Sequence, residues 1–152
     1  MTEHLFEERG IYYRTNAFVS GRQTLVFVHG VSGSSSAWAP YEARFEHHYN
    51  LLTYDLRGHG KSKKYARCGD YAISQFVEDL KALLDYLAIE TCVLVSHSFA
   101  VLIALEFLNV HQACVQSVVL VSADFDVGRH VPAKVLKALV APVALPELGY
   151  RV

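Results

Sequence analysis

Ser98 is the residue best placed to act as a nucleophile. It lies in Val95-Ser96-His97-Ser98-Phe99-Ala100, where an apolar strand-type run, Cys92–Val95, passes directly into an apolar helix-type run, Phe99–Val110. A serine on such a turn projects from the carboxyl edge of a sheet, where open α/β sheets place their sites. The turn demands small residues two places either side of the serine. Ser96 and Ala100 fill those places, giving a small-x-Ser-x-small form of the G-x-S-x-G nucleophile turn. The helix beginning at Phe99 would aim its free N–H groups and positive dipole end at the reacting centre.

Two further segments belong with it. His29-Gly30-Val31-Ser32-Gly33 follows the buried run Thr24–Val28. A glycine-rich loop there brings a backbone N–H to the same sheet edge, and with the Phe99 N–H it makes a two-donor oxyanion hole. Tyr54-Asp55-Leu56-Arg57-Gly58-His59-Gly60-Lys61-Ser62 follows a third short apolar run, Leu51–Asp55.

The elements that must position these residues alternate. Ile11–Val19 is rich in β-formers, and Thr24–Val28 is continuously apolar, as in a strand buried on both faces. Trp38, Tyr41 and Phe45 recur at helical spacing, with Pro40 tolerable in a first turn. Leu56–Asp70 is a loop carrying Lys61, Lys63, Lys64 and Arg67, read as solvated charge. Phe76, Leu80, Leu83, Leu84 and Leu87 then mark one face of an amphipathic helix, with Glu78, Asp79, Lys81 and Asp85 elsewhere on it. Cys92–Val95, Phe99–Val110 and Ser117–Val121 follow as strand, buried helix and strand. Asp126-Val127-Gly128 reads as a turn and Val131–Val140 as a short helix. Strands alternating with helices imply βαβ units: an α/β fold, with a parallel sheet and helices on both faces.

Composition narrows the class. The 152 residues are 52% hydrophobic and 19% charged, which excludes disorder as a whole-chain reading. Lys and Arg total 14 against 15 Asp and Glu, so no global field draws the chain to nucleic acid or to an anionic membrane. Met1–Gly10 has no apolar segment of secretory type, and Thr91–Leu105, the longest stretch without formal charge, is too short to span a bilayer. Cys68, Cys92 and Cys114 form no CxxC and no even set, which argues against disulfides and zinc and fits a reducing cytoplasm. No metal or organic cofactor is implied, since no ligand cluster is present and no GxGxxG follows a strand.

The series HGxxG, YDLRGHGKS and SHSFA, each after its own strand, resembles the α/β-hydrolase fold superfamily from about Ile11 to Asp124. The resemblance implies Ser98 as nucleophile, the N–H groups of Val31 and Phe99 as oxyanion donors beside His29 and Gly30, and Arg57–Ser62 as a structural loop. A serine where related dehalogenases and epoxide hydrolases carry aspartate implies ester, thioester, lactone or similar acyl chemistry on a small-molecule substrate. Carbon–carbon bond hydrolysis or acyl transfer stands second within the family.

The same resemblance exposes departures. Ser96 and Ala100 stand where the usual turn has glycine. The family's core has eight strands, of which six are counted here, two before Gly30 and four from there to Val121. The triad acid and base usually follow the seventh and eighth. The expectation is therefore an N-terminal portion of a hydrolase core, residues 1–130, with 131–152 beginning a cap or lid. Of His4, His29, His47, His48, His59, His97, His111 and His130, none matches the family's base. His97 neighbours Ser98, at a position in the turn that is usually structural, and a base must reach the serine oxygen in geometry and not just in sequence; His29 and His59 read as hydrogen-bonded framework, and His47-His48 as solvated. Asp124 is the candidate acid, since some members place it after this strand; its alternative is an ordinary turn residue, and Asp126 is weaker still. Losing the base in a serine hydrolase costs about 10⁶ in turnover, leaving roughly 10³–10⁴ over water. Ser117–Val121, apolar and uncharged, would be an exposed edge needing a cover. A second chain, a homodimer or the chain's own 131–152 tail could supply it. Three readings follow: a hydrolase half completed by another chain, a catalytically inactive fragment, or an interaction protein on a hydrolase scaffold.

Overall fold

The computed structural model describes residues 1–122. The readings that fall on Asp124, Asp126, His130 and the 131–152 segment lie outside those residues.

Six strands form one sheet: β1 (Thr2–Phe6), β2 (Ile11–Thr15), β3 (Thr24–Val28), β4 (Asn50–Tyr54), β5 (Cys92–His97) and β6 (Val115–Val121). Their spatial order is β1-β2-β4-β3-β5-β6. β1 and β2 pair antiparallel, as do β2 and β4, and the remaining neighbours are parallel. The helices are α1 (Ala39–Phe45), α2 (Ile73–Tyr86) and α3 (Ala100–Val110). The α/β architecture is thus as expected, a mostly parallel sheet.

The strands β3 and β4 are buried along their whole length, as their unbroken apolar runs require. Because successive side chains alternate faces, each central strand feeds two cores. Val26, Val28, Leu52, Tyr54 and Leu94 pack with Phe76, Leu80, Leu83, Ile103 and Phe107 from α2 and α3. Leu25, Phe27, Leu51 and Val93 pack against Trp38, with Phe45 at the margin, on the α1 side. Helices therefore cover both faces.

The structure departs from or adds to the sequence reading in five details. The strand count is six, but three precede Gly30 and three follow it. β1 was not foreseen: four of its five residues are exposed, so it carries no burial pattern and exists through its hairpin with β2. β2 stops at Thr15 rather than Val19. There the Asn16 side chain takes over, donating to the Glu46 and Tyr49 carbonyls and accepting the Leu51 N–H at 2.7 Å. On α1, Tyr41 faces solvent and Glu42 faces inward, where its carboxylate takes the Thr53 hydroxyl at 2.7 Å and Arg14 at 2.9 Å. On α2, Asp79 is buried rather than on the polar face, because Arg57 meets it there.

The Arg57–Asp79 pair is bidentate, with Nε and one terminal nitrogen each donating at 2.7 Å. A second terminal nitrogen reaches the Asp70 carbonyl at 2.6 Å and the Gln75 amide oxygen at 3.1 Å. The guanidinium lies over the Tyr65 ring. Arg57 thus ties the loop after β4 to α2, and of the basic residues named in this region only Lys61, Lys63, Lys64 and Arg67 are solvent-exposed. Removing one partner leaves an uncompensated buried charge. Asp79→Ala is expected to lower stability by about 3–5 kcal/mol, while Asp85→Ala, which breaks the largely exposed Lys81–Asp85 pair, costs less than about 1 kcal/mol. Urea midpoints of the two variants check this.

Candidate active site

The parallel register aligns the ends of three strands. Val28 stands opposite Tyr54 on one side and Ser96 on the other. The next residues along, His29, Asp55 and His97, therefore emerge at one carboxyl edge, and the three sequence motifs meet there.

Asp55 organises the meeting. It is 2% exposed, and one carboxylate oxygen accepts the Ser35 N–H at 2.6 Å while the other accepts the Lys61 N–H at 2.7 Å. Its own N–H donates to the Tyr12 carbonyl at 2.9 Å, and its carbonyl accepts the Ser62 hydroxyl at 2.6 Å. Ser62 in turn receives the Tyr12 N–H at 2.9 Å. A buried carboxylate requires such donors, and here they come from both loops. The sequence reading grouped Arg57–Ser62 as structural, which the hydrogen bonds bear out, but it gave Asp55 no role. The available signal was an acid placed directly between a buried strand and a glycine-rich loop. Gly60 follows from the same geometry: its φ is +47°, and an added Cβ would stand 2.0 Å from the Asp55 carboxylate.

His29 occupies the other side. It is buried, its Nδ1–H donates to the Gly30 carbonyl at 2.7 Å, and its Nε2 accepts the Leu56 N–H at 3.0 Å. Gly33 N–H also donates to the Gly30 carbonyl, at 3.0 Å. Because the peptide is planar and trans, two donors on the Gly30 carbonyl fix the plane that carries the Val31 N–H. His29 and His59 meet edge to face, 5.4 Å between ring centres. Burial pushes the His29 ring below its usual range, against weaker opposing help from the Gly30 carbonyl and Asp55.

Ser98 sits at φ +53°, in the left-handed region, partly exposed. For a non-glycine residue this backbone costs about 1–2 kcal/mol, and such strain collects at functional sites. Ser98 N–H is held by the Val121 carbonyl at 3.0 Å, and the Ser98 carbonyl accepts the Val101 N–H at 2.9 Å. The small neighbours are fully buried, Ser96 and Ala100 both at 0% exposure. Ser96 carries a hydroxyl without a partner among the described residues, the consequence of a serine where glycine is usual. Phe99 packs edge to face on Phe76. A Cβ on Gly30 would stand 3.3 Å from the Ser98 Cβ and 3.1 Å from the His97 Nδ1. The glycine loop therefore abuts the serine turn, with the Val31 side chain 58% exposed beside it.

The structure thus brings together Ser98, Phe99, Gly30, Val31 and His29. Among the described residues, no histidine hydrogen-bonds Ser98. His4 stacks on Tyr13, His111 on Phe107, and His47 and His48 face solvent. Nor, among those residues, does any group of three His, Cys, Asp or Glu side chains converge to hold a metal ion. No described helix is long and apolar enough to cross a membrane.

Two outcomes test this site. Gly60→Ala is expected to lose about 2–5 kcal/mol, from the clash with Asp55 together with the left-handed backbone; a urea midpoint unchanged from wild type would contradict the packing described. For His29, the fold favours the neutral ring, so its contribution is present above the unfolded value of 6.5 and lost as pH falls below it. Stability should decline as pH falls below 6.5, and His29→Gln should flatten that decline.

Comparisons with known proteins agree with this geometry. A family model described as the alpha/beta hydrolase fold matches residues 23–149. Over 106 residues the chain is 30% identical to the Escherichia coli O157:H7 protein named "Putative carbamate hydrolase RutD", an alignment covering 70% of this chain and 40% of that protein. Among solved structures, MGS-M2, an alpha/beta hydrolase enzyme from a Medee basin deep-sea metagenome library, superposes with a TM-score of 0.71 at 27% identity. That match covers 78% of this chain and 43% of the other. The enol-lactonase of Burkholderia xenovorans LB400 gives 0.64 at 29% identity, covering 71% and 41%. The chain spans between 32% and 40% of the length of the curated relatives it matches.

Proposed function

Since the chain belongs to the alpha/beta hydrolase fold family, we propose that it carries the nucleophile and oxyanion hole of a serine hydrolase acting on an acyl bond. The observation that carries this is the left-handed turn at Ser98 lying against Gly30. Ser98 Oγ attacks the substrate carbonyl as a base takes its proton. The oxygen that becomes negative is received by the N–H groups of Val31 and Phe99, and the leaving group departs from a tetrahedral intermediate. Water then hydrolyses the acyl-enzyme by the same steps in reverse order. Relatives whose names specify carbamate and lactone chemistry support the acyl class, which spans ester, thioester, lactone and carbamate bonds.

The base is assigned outside residues 1–122, because no described histidine hydrogen-bonds Ser98 and His97, its neighbour in sequence, occupies a turn position that the family resemblance reads as structural. Asp124 is the proposed acid, three positions past β6. We place the base on a segment that adds to the sheet along Ser117–Val121, from beyond residue 122 or from a second chain or copy. β6 is last in the described sheet and largely half-exposed, unlike β3 and β4. The β6 carbonyl at Val121 also holds the Ser98 amide, so a strand that steadies β6 steadies the nucleophile. Residues 1–130 then serve as core and 131–152 as the start of a cap. The three unpaired thiols support a reducing, cytoplasmic location.

Labelling with a fluorophosphonate, read by intact mass, tests the proposal. One adduct is expected in wild type and none in Ser98→Ala. An adduct that survives the substitution would move the nucleophile elsewhere. Folded protein that takes no label would mean the serine lacks its base in this chain, which leaves completion by a second chain or a non-catalytic scaffold.

A further inference from the structure

Val31 is the proposed oxyanion donor, yet it is 58% exposed, so burial does not fix it. Its position depends on its two flanking peptides. The one before it is fixed through the Gly30 carbonyl by His29 and Gly33. The one after it carries the Val31 carbonyl, and that oxygen meets His59 Nε2.

We propose that His59 is a positioning residue for the oxyanion donor: by holding the Val31 carbonyl, it orients the residue whose N–H faces the reacting oxygen. The proposal rests on the serine-hydrolase reading and names a further residue in that same site. His59 belongs to the loop after β4, so the hydrogen bond joins two loops that are 28 residues apart in sequence. A carbonyl only accepts, so Nε2 must carry a proton for this contact to bind.

The ring is mounted to do this. His59 N–H donates to the Leu56 carbonyl and its carbonyl accepts the Ser62 N–H, both at 2.9 Å. Its Nδ1 lies 3.0 Å from the Arg57 carbonyl, a second acceptor, so in the neutral ring only one of the two nitrogens donates, and that proton is assigned to Nε2. One residue on, Gly60 closes against the Asp55 carboxylate with no space for a side chain. Arg57, on the other side, is locked to Asp79. The edge of His29 meets the His59 ring. A rigid backbone on both sides leaves the imidazole few ways to turn, and a positioned donor loses little entropy in use. The two histidines thus grip consecutive carbonyls, Gly30 and Val31, on either side of one N–H.

His59→Phe keeps a ring and removes both nitrogens, and His59→Gln restores an amide donor. Two readouts are independent. Amide hydrogen exchange at Gly33, whose N–H closes the Gly30 turn, is expected to speed up roughly 10-fold in His59→Phe, about one hydrogen bond's worth, while the amides of Leu80–Leu84 in α2 keep wild-type rates. His59→Gln should recover most of the protection. In phosphonylation of Ser98, His59→Phe should lower the limiting rate by about the same factor with the half-saturating probe concentration unchanged, and His59→Gln should restore the rate.

Unchanged Gly33 exchange in His59→Phe would overturn the proposal, as would faster exchange spread through α2. Because the exchange arm does not need a reactive serine, absence of label in wild type would count against an activated serine in this chain and leave the exchange result to decide this proposal. If His59→Phe does not fold, long-range ¹H–¹⁵N spectra of the wild-type imidazole decide: a proton on Nε2 is expected, and a ring protonated at Nδ1 alone overturns the assignment.

Discussion

The buried carboxylate of Asp55 is the constraint on which the site depends. An ionised group at 2% exposure must be met by donors, and the donors it finds are main-chain N–H groups of Ser35 and Lys61. Each belongs to a different loop. Satisfying one charge therefore fixes the glycine-rich loop after β3 and the loop after β4 relative to each other. Gly60 exists so that the second loop can come close enough, and Ser62 closes the return to Tyr12 on β2. The bidentate Arg57–Asp79 pair then fastens the outer part of that loop to α2. Buried polar groups satisfied in this way specify an arrangement rather than merely add stability.

The sheet supplies the other half. Parallel register brings Val28, Tyr54 and Ser96 level, so three chemically distinct connections leave from one line. β5 runs into α3 with a turn tight enough to force Ser98 into the left-handed region. The energy that backbone stores is offset by the largely buried contacts of β5 and α3 on either side. The nucleophile is thereby presented by two rigid elements rather than by a mobile loop, the condition under which oxyanion donors can be preorganised.

Much of this was legible because it follows from continuous apolar runs and from glycine and serine spacing. β3, β4, β5 and α3 announce themselves by burial, and the serine turn by its small neighbours. What was not legible depends on partners distant in sequence. β1 has no periodicity and is held by its hairpin alone. Asp79 looks like a solvated residue on α2 until Arg57 arrives, and Glu42 looks the same on α1 until Arg14 and Thr53 arrive. Trp38, Tyr41 and Phe45 share helical spacing, but a helix of seven residues behind a 3-10 turn does not keep one face through both. His29 and His59 could be recognised as framework. That they grip adjacent carbonyls beside Gly30 needed coordinates.

The most direct test of the account is a crystal structure of the protein phosphonylated by a fluorophosphonate. The account predicts phosphorus bonded to Ser98 Oγ, with the phosphoryl oxygen about 2.7–3.1 Å from the amide nitrogens of both Val31 and Phe99. A phosphoryl oxygen turned away from Val31, or an adduct on a different side chain, would contradict it.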